Sequence, residues 1–523
     1  MAPQYVVHSR YRVAVPPNRG IDADFLDLPR HELAEAALSA ATAAGASYAD
    51  LRVQRISTEI VQLRDGELET ALINRQIGLA VRVIVDGTWG FASHAELAPS
   101  VAAETARRAV HVATTLAALN AERVKFADEP VYADATWVSN YRIDPFDISG
   151  ADKIAVLQEY SGRLLASKDG GVGVDHVSAG LTAVKEQVFY ADTFGSSITQ
   201  QRVRVLPSLE AVTVDSAAGS FDSMRTLAPP MARGWEVLVG DEVWNWTDEL
   251  AQLPSLLAEK VKAPSVAAGP TDLVIDPTNL WLTIHESIGH ATEYDRAIGY
   301  EAAYAGTSFA TPDKLGTMRY GSPVMNVTAD RTVEFGLASI GYDDEGVAAQ
   351  SWDLVRDGVF VGYQLDRVFA PRLGQPRSNG CSYADSPHHV PIQRMANVSL
   401  QPSPDDISTA DLIGRVEDGI YIVGDKSWSI DMQRYNFQFT GQRFFRIRDG
   451  ALDGQLRDVA YQATTTDFWN SMEAVGGPST WQLGGAFNCG KAQPGQIAAV
   501  SHGCPSALFR GVNVLNTRAE GGR

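Results

Sequence analysis

Residues 51–91 read LRVQRISTEIVQLRDGELETALINRQIGLAVRVIVDGTWGF, and this stretch decides the fold of the chain's first half. β-Branched residues crowd it, and Asp65-Gly66 and Asp86-Gly87 break it. Asp-Gly pairs supply the positive φ angles that tight hairpin turns demand, so the stretch predicts three or four antiparallel strands. Working outward, HELAEAALSAATAAG at 31–45 has the composition of a helix closed by Gly45. Further helices are expected over 99–122, which begins rich in alanine, and over 150–168, after Ser149. A second strand series spans 174–214 and turns near Asp192 and Gly195. Helices packed on antiparallel sheet make the N-terminal half an α+β layer.

A different texture opens the second half. A helical stretch over 241–262 runs into APSVAAGP at 263–270, a Pro/Gly/Ala-rich linker. A short strand at 273–275 then leads to Asp276, placed as an N-cap, and Pro277, placed at the first helical position. This helix is expected to run through Trp281 and His290 to Arg296, with Gly299 beyond its end. After it the chain reads as strands and turns, punctuated by Asp357-Gly358, Asp418-Gly419, Asp449-Gly450 and Asp453-Gly454. A chain of 523 residues is too long for one ordinary core. The expected division is an N-terminal extension at 1–30, an α+β domain at 31–262 and a β-rich domain at 271–523 that the 277–296 helix enters.

Composition narrows the function classes. Hydrophobic residues make up 45% and charged residues 20%, as in ordinary globular proteins. A formal net charge of -19 repels phosphate backbones and argues against a nucleic-acid partner. The first residues hold no apolar run of signal-peptide length, and no stretch of about 18 apolar residues exists to cross a membrane. Three cysteines, Cys381, Cys489 and Cys504, argue against a disulfide framework and for a reducing cytoplasm.

The chemistry sits in HESIGH, residues 285–290, within the 277–296 helix. In the HExxH arrangement two imidazoles one turn apart bind zinc, and the glutamate serves as general base. Here one more residue separates the histidines. Positions i and i+5 of a regular α-helix point about 140° apart, so the two rings share an ion only across a π-bulge. Gly289 precedes the second histidine, where glycine tolerates distortion. The spacing therefore implies either no metal or a specially wound helix. Glu293 and Asp295 are each a candidate third ligand or an acceptor that orients an imidazole, against the alternative of a solvated helix end. GGAFNCGKAQPGQ at 484–496 sets Cys489 among glycines, where backbone and thiolate can approach a metal. A His/His/Cys set with one open position has the pattern of a catalytic zinc site. His502 and Cys504 lie near enough in sequence to join Cys489, although HxC is not a closed zinc pattern, and Cys381 reads as structural.

HESIGHATEYD at 285–295 and NCGK at 488–491 resemble the TldD/PmbA family of zinc peptidases, and its TldD subunit in particular. DGELETA at 65–71, GLAVRVIVDGTWGFAS at 78–93, DDEG at 343–346, RMANV at 394–398 and DGIYIVG at 418–424 carry the likeness over nearly the whole chain after residue 30. The resemblance implies zinc held by His285, His290 and Cys489, with Glu286 as the base. It implies short or unfolded peptide substrates reached through an enclosed site. It also implies a homologous TldE/PmbA-type subunit in a heterodimer, or else a homodimer. His388, His389 and Arg394 are candidate oxyanion donors in a polar segment that matches the family. Two other functions fit the same residues: a zinc amidase acting on small molecules, and a non-catalytic scaffold subunit that holds no zinc.

Overall fold

Both Asp-Gly pairs turn the chain with left-handed backbone: φ is 52° and 83° at Asp65 and Gly66, and 48° and 67° at Asp86 and Gly87. They link β1 (Tyr48–Arg64), β2 (Glu67–Val85) and β3 (Thr88–His94) into an antiparallel meander. The computed structural model describes residues 20–520 apart from 170–171 and 216–218, so residues 1–19 of the expected N-terminal extension lie outside the described residues. Around the meander lie α1 (Arg30–Ala43), α2 (Pro99–Ala117), β4 (Ala135–Val138), α3 (Gly150–Leu165), β5 (His176–Asp192), β6 (Ser197–Asp215), β7 (Ser220–Arg225) and α4 (Trp246–Lys262). The strands form a seven-stranded sheet in the order β3-β2-β1-β5-β6-β4, with β7 also on β6. Helix α2 stops at Ala117, five residues before the expected end at 122.

Strand alternation gives this sheet two unlike faces. Leu51, Val53, Val61 and Leu63 of β1 face the helices. α1 and α2 bury Leu33, Ala37 and Ala106 at one end, while α3 and α4 bury Leu157, Leu164 and Leu253 at the other. Small residues allow close approach: a Cβ on Gly90 would lie 2.0 Å from the Ala109 carbonyl oxygen. Ile21 and Phe25 also pack into the α1–α2 core. The other face of the sheet presents Asp50, Arg52, Gln54 and Arg82, all buried. The two arginines among them meet the second half of the chain at the DDEG segment. Arg82 bonds Asp50 at 2.8 Å and Glu345 at 2.7 Å, and Arg52 bonds Asp344 at 3.0 Å. Asp343 folds the segment on itself, its Oδ1 accepting from the backbone N–H groups of Glu345 and Val347.

The second half is β-rich, as expected, and the whole is an α+β fold. Its main elements are β8 (Gly269–Ile275), α5 (Pro277–Ile284), β9 (Asp418–Ile430), β10 (Asn436–Arg448), β11 (Val459–Thr464), β12 (Gln482–Lys491), β13 (Gln496–Cys504) and β14 (Ala507–Asn516). β8 pairs with β9 in parallel and with β14 antiparallel, and β9-β10-β11-β14 completes a closed ring of pairings. Helix α5 is buried at all eight positions and shares a core with Phe437, Tyr461, Val500 and Phe509. β12 and β13 form a separate hairpin against it. No described helix is long and apolar enough to cross a membrane.

Arg82→Met leaves Asp50 and Glu345 buried without their counter-charge, at a cost of about 3–5 kcal/mol. The expected outcome is a lower midpoint of urea unfolding, and an unchanged midpoint would show that the two halves do not depend on this pair.

Candidate metal centre

Helix α5 starts on local chemistry. The Asp276 Oδ1 accepts from Thr278 N at 3.0 Å, and Pro277 takes the first turn, where no backbone N–H is needed. The helix does not continue in regular form to Arg296. His285–Gly289 is a π-turn, His290–Thr292 is a 3₁₀ turn, and Glu293 is extended with ψ 116° before a short turn at Tyr294–Ala297. In the π-turn the His290 N–H reaches back five residues to the His285 carbonyl. That winding absorbs the extra residue and brings the two rings to 4.7 Å between centroids. Three side chains brace it, two of them from distant segments. Tyr320 donates to the Ser287 carbonyl at 2.5 Å, Thr292 to Ile288 at 2.8 Å and Gln364 to Gly289 at 2.8 Å. Gly289 itself has ordinary helical angles, φ -54° and ψ -60°, so distortion is not why glycine stands there. The reason is space: a Cβ would lie 2.5 Å from the Met395 sulfur.

Cys489 arrives on β12. The register between β12 and β13 shifts between Ala486 and Cys489, a bulge that re-aims the strand beside the helix. Arg394 grips this hairpin from behind through the Cys489 and Gln496 carbonyls. The Cys489 Sγ lies 3.6 Å from His290 Nε2. One nitrogen of His285, one of His290 and the Cys489 sulfur all lie within 4.8 Å of one another, and all three side chains are buried.

Hydrogen bonding sets which nitrogen of each imidazole carries a proton. The Val398 carbonyl can only accept, so His502 donates to it through Nδ1–H at 2.9 Å. A neutral His502 then offers its Nε2 lone pair to His285 Nδ1–H at 2.7 Å. Burial pushes the imidazoles of His502 and His285 below their ordinary value, which keeps both neutral. His290 Nδ1–H donates to the Glu293 carboxylate at 2.8 Å. Both His285 and His290, when neutral, therefore hold Nε2 as a bare lone pair. Cys489 complements them: burial pushes its thiol up, but a protonated His290 beside it, with Arg394, more than offsets this and holds it below the ordinary cysteine value. Two lone-pair nitrogens and a thiolate-prone sulfur form a donor set that fits zinc.

Of the alternatives left open at 293 and 295, the geometry favours orientation over ligation. The Glu293 carboxylate takes His290, Arg296 at 3.3 Å and Lys491 at 3.0 Å. Asp295 takes Lys491 at 2.8 Å, and Arg296 bonds Glu301 at 2.6 Å. Burial works against the Glu293 charge, but Lys491, His290 and Arg296 hold its carboxyl well below the usual range. Neither acid is a solvated helix end, since both are buried. Glu286 is buried as well, and its Oε2 accepts from Arg434 Nη1 at 2.6 Å. Burial raises its carboxyl, but positive charge at His290, Arg434 and Arg296 brings it below the ordinary value.

Other sequence candidates lie elsewhere. His388 contacts Ser93 at 3.3 Å and His389 contacts Asp385 at 2.6 Å, at the junction with the first sheet. Arg394 supports the cysteine strand, as described. His502 and Cys504 do not join Cys489 as ligands: His502 is spent on His285 and Val398, and burial pushes the Cys504 thiol well up. Cys381 is buried and pushed up to about 12. Arg434 was not legible as a site residue, since it reaches Glu286 across 148 residues of chain, and Lys491, quoted in NCGK, acquires its role only through Glu293 and Asp295.

Comparison with known proteins agrees with this architecture. The sequence profile described as "PmbA/TldA metallopeptidase C-terminal domain" matches residues 268–516, and "PmbA/TldA metallopeptidase domain 1" matches residues 49–113. A protein named "Metalloprotease" from Methanothermobacter thermautotrophicus is 29% identical over 472 residues, covering 90% of this chain and 96% of that one. A "Zinc metalloprotease TldD homolog" from Saccharolobus solfataricus is 23% identical, covering 90% of this chain and 97% of that one. The crystal structure of TldE from Thermococcus kodakarensis superposes with a TM-score of 0.66 at 16% identity, covering 92% of this chain and 99% of that one. The chain belongs to the PmbA/TldD metallopeptidase family.

Proposed function

We propose that this chain is a zinc-dependent peptidase for short or unfolded peptides, with His285, His290 and Cys489 as ligands and Glu286 as the general base. One observation carries the reading: two imidazole lone pairs and a cysteine sulfur converge within 4.8 Å, next to a buried carboxylate. The name of the Saccharolobus relative supports zinc as the ion. Zinc in a three-ligand site lowers the pKa of water towards neutrality and polarises a carbonyl. Glu286 adjoins a ligand in sequence, is held ionised, and takes the proton of the attacking water. It then passes that proton to the departing amine. Glu293 and His502 hold the two imidazoles in the tautomer that ligation requires.

A cavity of about 410 Å³ supports the substrate assignment. It lies between β6 and the second half, lined by Leu206, Pro230, Trp281, Trp428 and Phe487, and includes Asn488 next to Cys489. β12 pairs only with β13 among the described strands, so its other edge keeps free backbone groups along this cavity. An extended peptide can pair with such an edge with little regard for side chains, whereas a folded protein does not fit the space. The partner in this reading is a related TldE-type subunit, and co-purification or a second copy in solution tests it.

Glu286→Gln keeps the zinc and lowers peptide hydrolysis by about 10²–10⁴-fold. Metal analysis beside a cleavage assay checks this, and a fully active variant would remove Glu286 from the base role. His502→Leu removes the acceptor that orients His285 and weakens zinc binding by about 10–100-fold. Competition with a chelator reads this, and His502→Gln, which can both accept and donate, should recover part of the loss. A wild-type chain that binds no zinc would favour the scaffold subunit.

A further inference from the structure

Arg434 sits where the local backbone suits glycine. The β9–β10 hairpin turns through residues 431–435, with Arg434 N donating to the Asp431 carbonyl at 3.0 Å and Asp431 N to the Asn436 carbonyl at 2.9 Å. Asp431 holds the turn with its side chain, which accepts from the N–H groups of Gln433, Tyr435 and Asn436. Arg434 completes it at φ 62°, a left-handed conformation usually left to glycine at this point of a hairpin. The turn is also tied to its surroundings. The Met432 and Gln433 carbonyls accept from Thr307 N and Phe309 N at 2.8 and 2.9 Å, and the Arg434 carbonyl accepts from Thr465 Oγ1 at 2.8 Å. None of these bonds uses the guanidinium, so the turn's own bonds give no reason for arginine. Side chains held in strained backbone concentrate at functional sites.

The guanidinium lies at the candidate metal centre. Its Nη1 bonds Glu286 at 2.6 Å, and its Nε is buried without a partner. Its charge also bears on His285 and Cys489. We propose that Arg434 is a catalytic residue that binds the oxyanion formed on the scissile carbonyl; this rests on the peptidase reading above. As the water oxygen bonds to the carbonyl carbon, the C=O π pair moves onto the carbonyl oxygen. Glu286 takes the water proton, and N–H groups of Arg434 not engaged by Glu286 donate to the new oxyanion. When the C–N bond breaks, that pair re-forms the C=O bond, and the proton on Glu286 goes to the amine nitrogen. The Glu286 contact orients the guanidinium beforehand, so little reorganisation is needed during the reaction. Arginine suits the task because its planar fork can serve a carboxylate and an oxyanion together, which an ammonium does less well.

Arg434→Gly removes the guanidinium and relaxes the backbone, so the chain should fold and keep its zinc. The expected result is an unchanged zinc content, a KM close to wild type and a kcat lower by about 10²–10³-fold. Millimolar guanidinium ion should restore part of that rate, and Arg434→Lys should stay well below wild type. A peptide phosphinate mimicking the tetrahedral centre should lose affinity for R434G in step with kcat/KM, while a product peptide loses little. A kcat within about threefold of wild type overturns the proposal, because one oxyanion donor is worth far more. A loss confined to KM overturns it too. So does a loss seen only with peptides that end in a free carboxylate, which would make Arg434 a carboxylate anchor. Active wild type beside equally active R434G sinks this proposal alone, whereas a wild-type chain that cleaves no peptide sinks the peptidase reading with it.

Discussion

Five positions separate His285 from His290, and a regular helix would send their side chains about 140° apart. Everything at the candidate centre follows from how the chain overcomes that angle. A π-turn alone is weakly bonded, and the carbonyls it leaves near the surface of the helix need donors. Tyr320, Thr292 and Gln364 supply them, two from distant segments. The two distant donors are held from outside the ring of strands: Tyr320 packs on Phe309 and Phe360, and Gln364 bonds the Thr292 carbonyl and the Ala396 N–H. Site and core are therefore one packing problem: the same helix that fills the ring also presents the imidazoles.

Charge burial is the second constraint. Glu286, Glu293, Asp295, Arg296 and Lys491 are all buried within a few residues of the three donor atoms. An isolated charge in such a place would neutralise or destabilise the fold, so each is paired. The pairing also does chemical work. Lys491 and Arg296 keep Glu293 ionised, and an ionised Glu293 accepts the His290 Nδ1 proton. On the other side, the Val398 carbonyl fixes His502, and His502 fixes His285. Two independent hydrogen-bond chains thus reach the same result, a bare Nε2 on each histidine. Between the halves of the molecule, the polar face of the first sheet meets the DDEG segment by the same rule, with Arg52 and Arg82 matched to Asp344 and Glu345.

Particular residues show how far the sequence could be read. Asp65-Gly66 and Asp86-Gly87 marked their turns, because the need for positive φ is a property of the dipeptide. Ser149 and Asp276 each cap the helix that follows through their own side chains, whereas the helix expected from 241 starts only at Trp246, after an Asn245 cap. The continuous helix to Arg296 was not borne out. The break at Glu293 lets its backbone bridge to Gln364, and that partner is 71 positions away in the numbering. Gly289 was expected for conformational freedom and is needed for clearance from Met395, which only packing reveals. His388 and His389 were candidate oxyanion donors because they lie in a polar segment that matches the family, yet the fold spends them at the sheet junction.

The sequence by itself determined the elements whose causes are local: the hairpin turns, the capped helix starts, the alternation that gives the first sheet an apolar and a charged face, and the i,i+5 spacing that demanded a π-turn if a metal were shared. Only the tertiary structure decided which groups complete the centre. His285 meets His502 across 217 residues, and Glu286 meets Arg434 across 148. Hydrogen bonds act over about 3 Å in space and are indifferent to distance along the chain. The tautomer of a histidine, the charge on a glutamate and the reach of an arginine are therefore settled by neighbours that no local pattern can name.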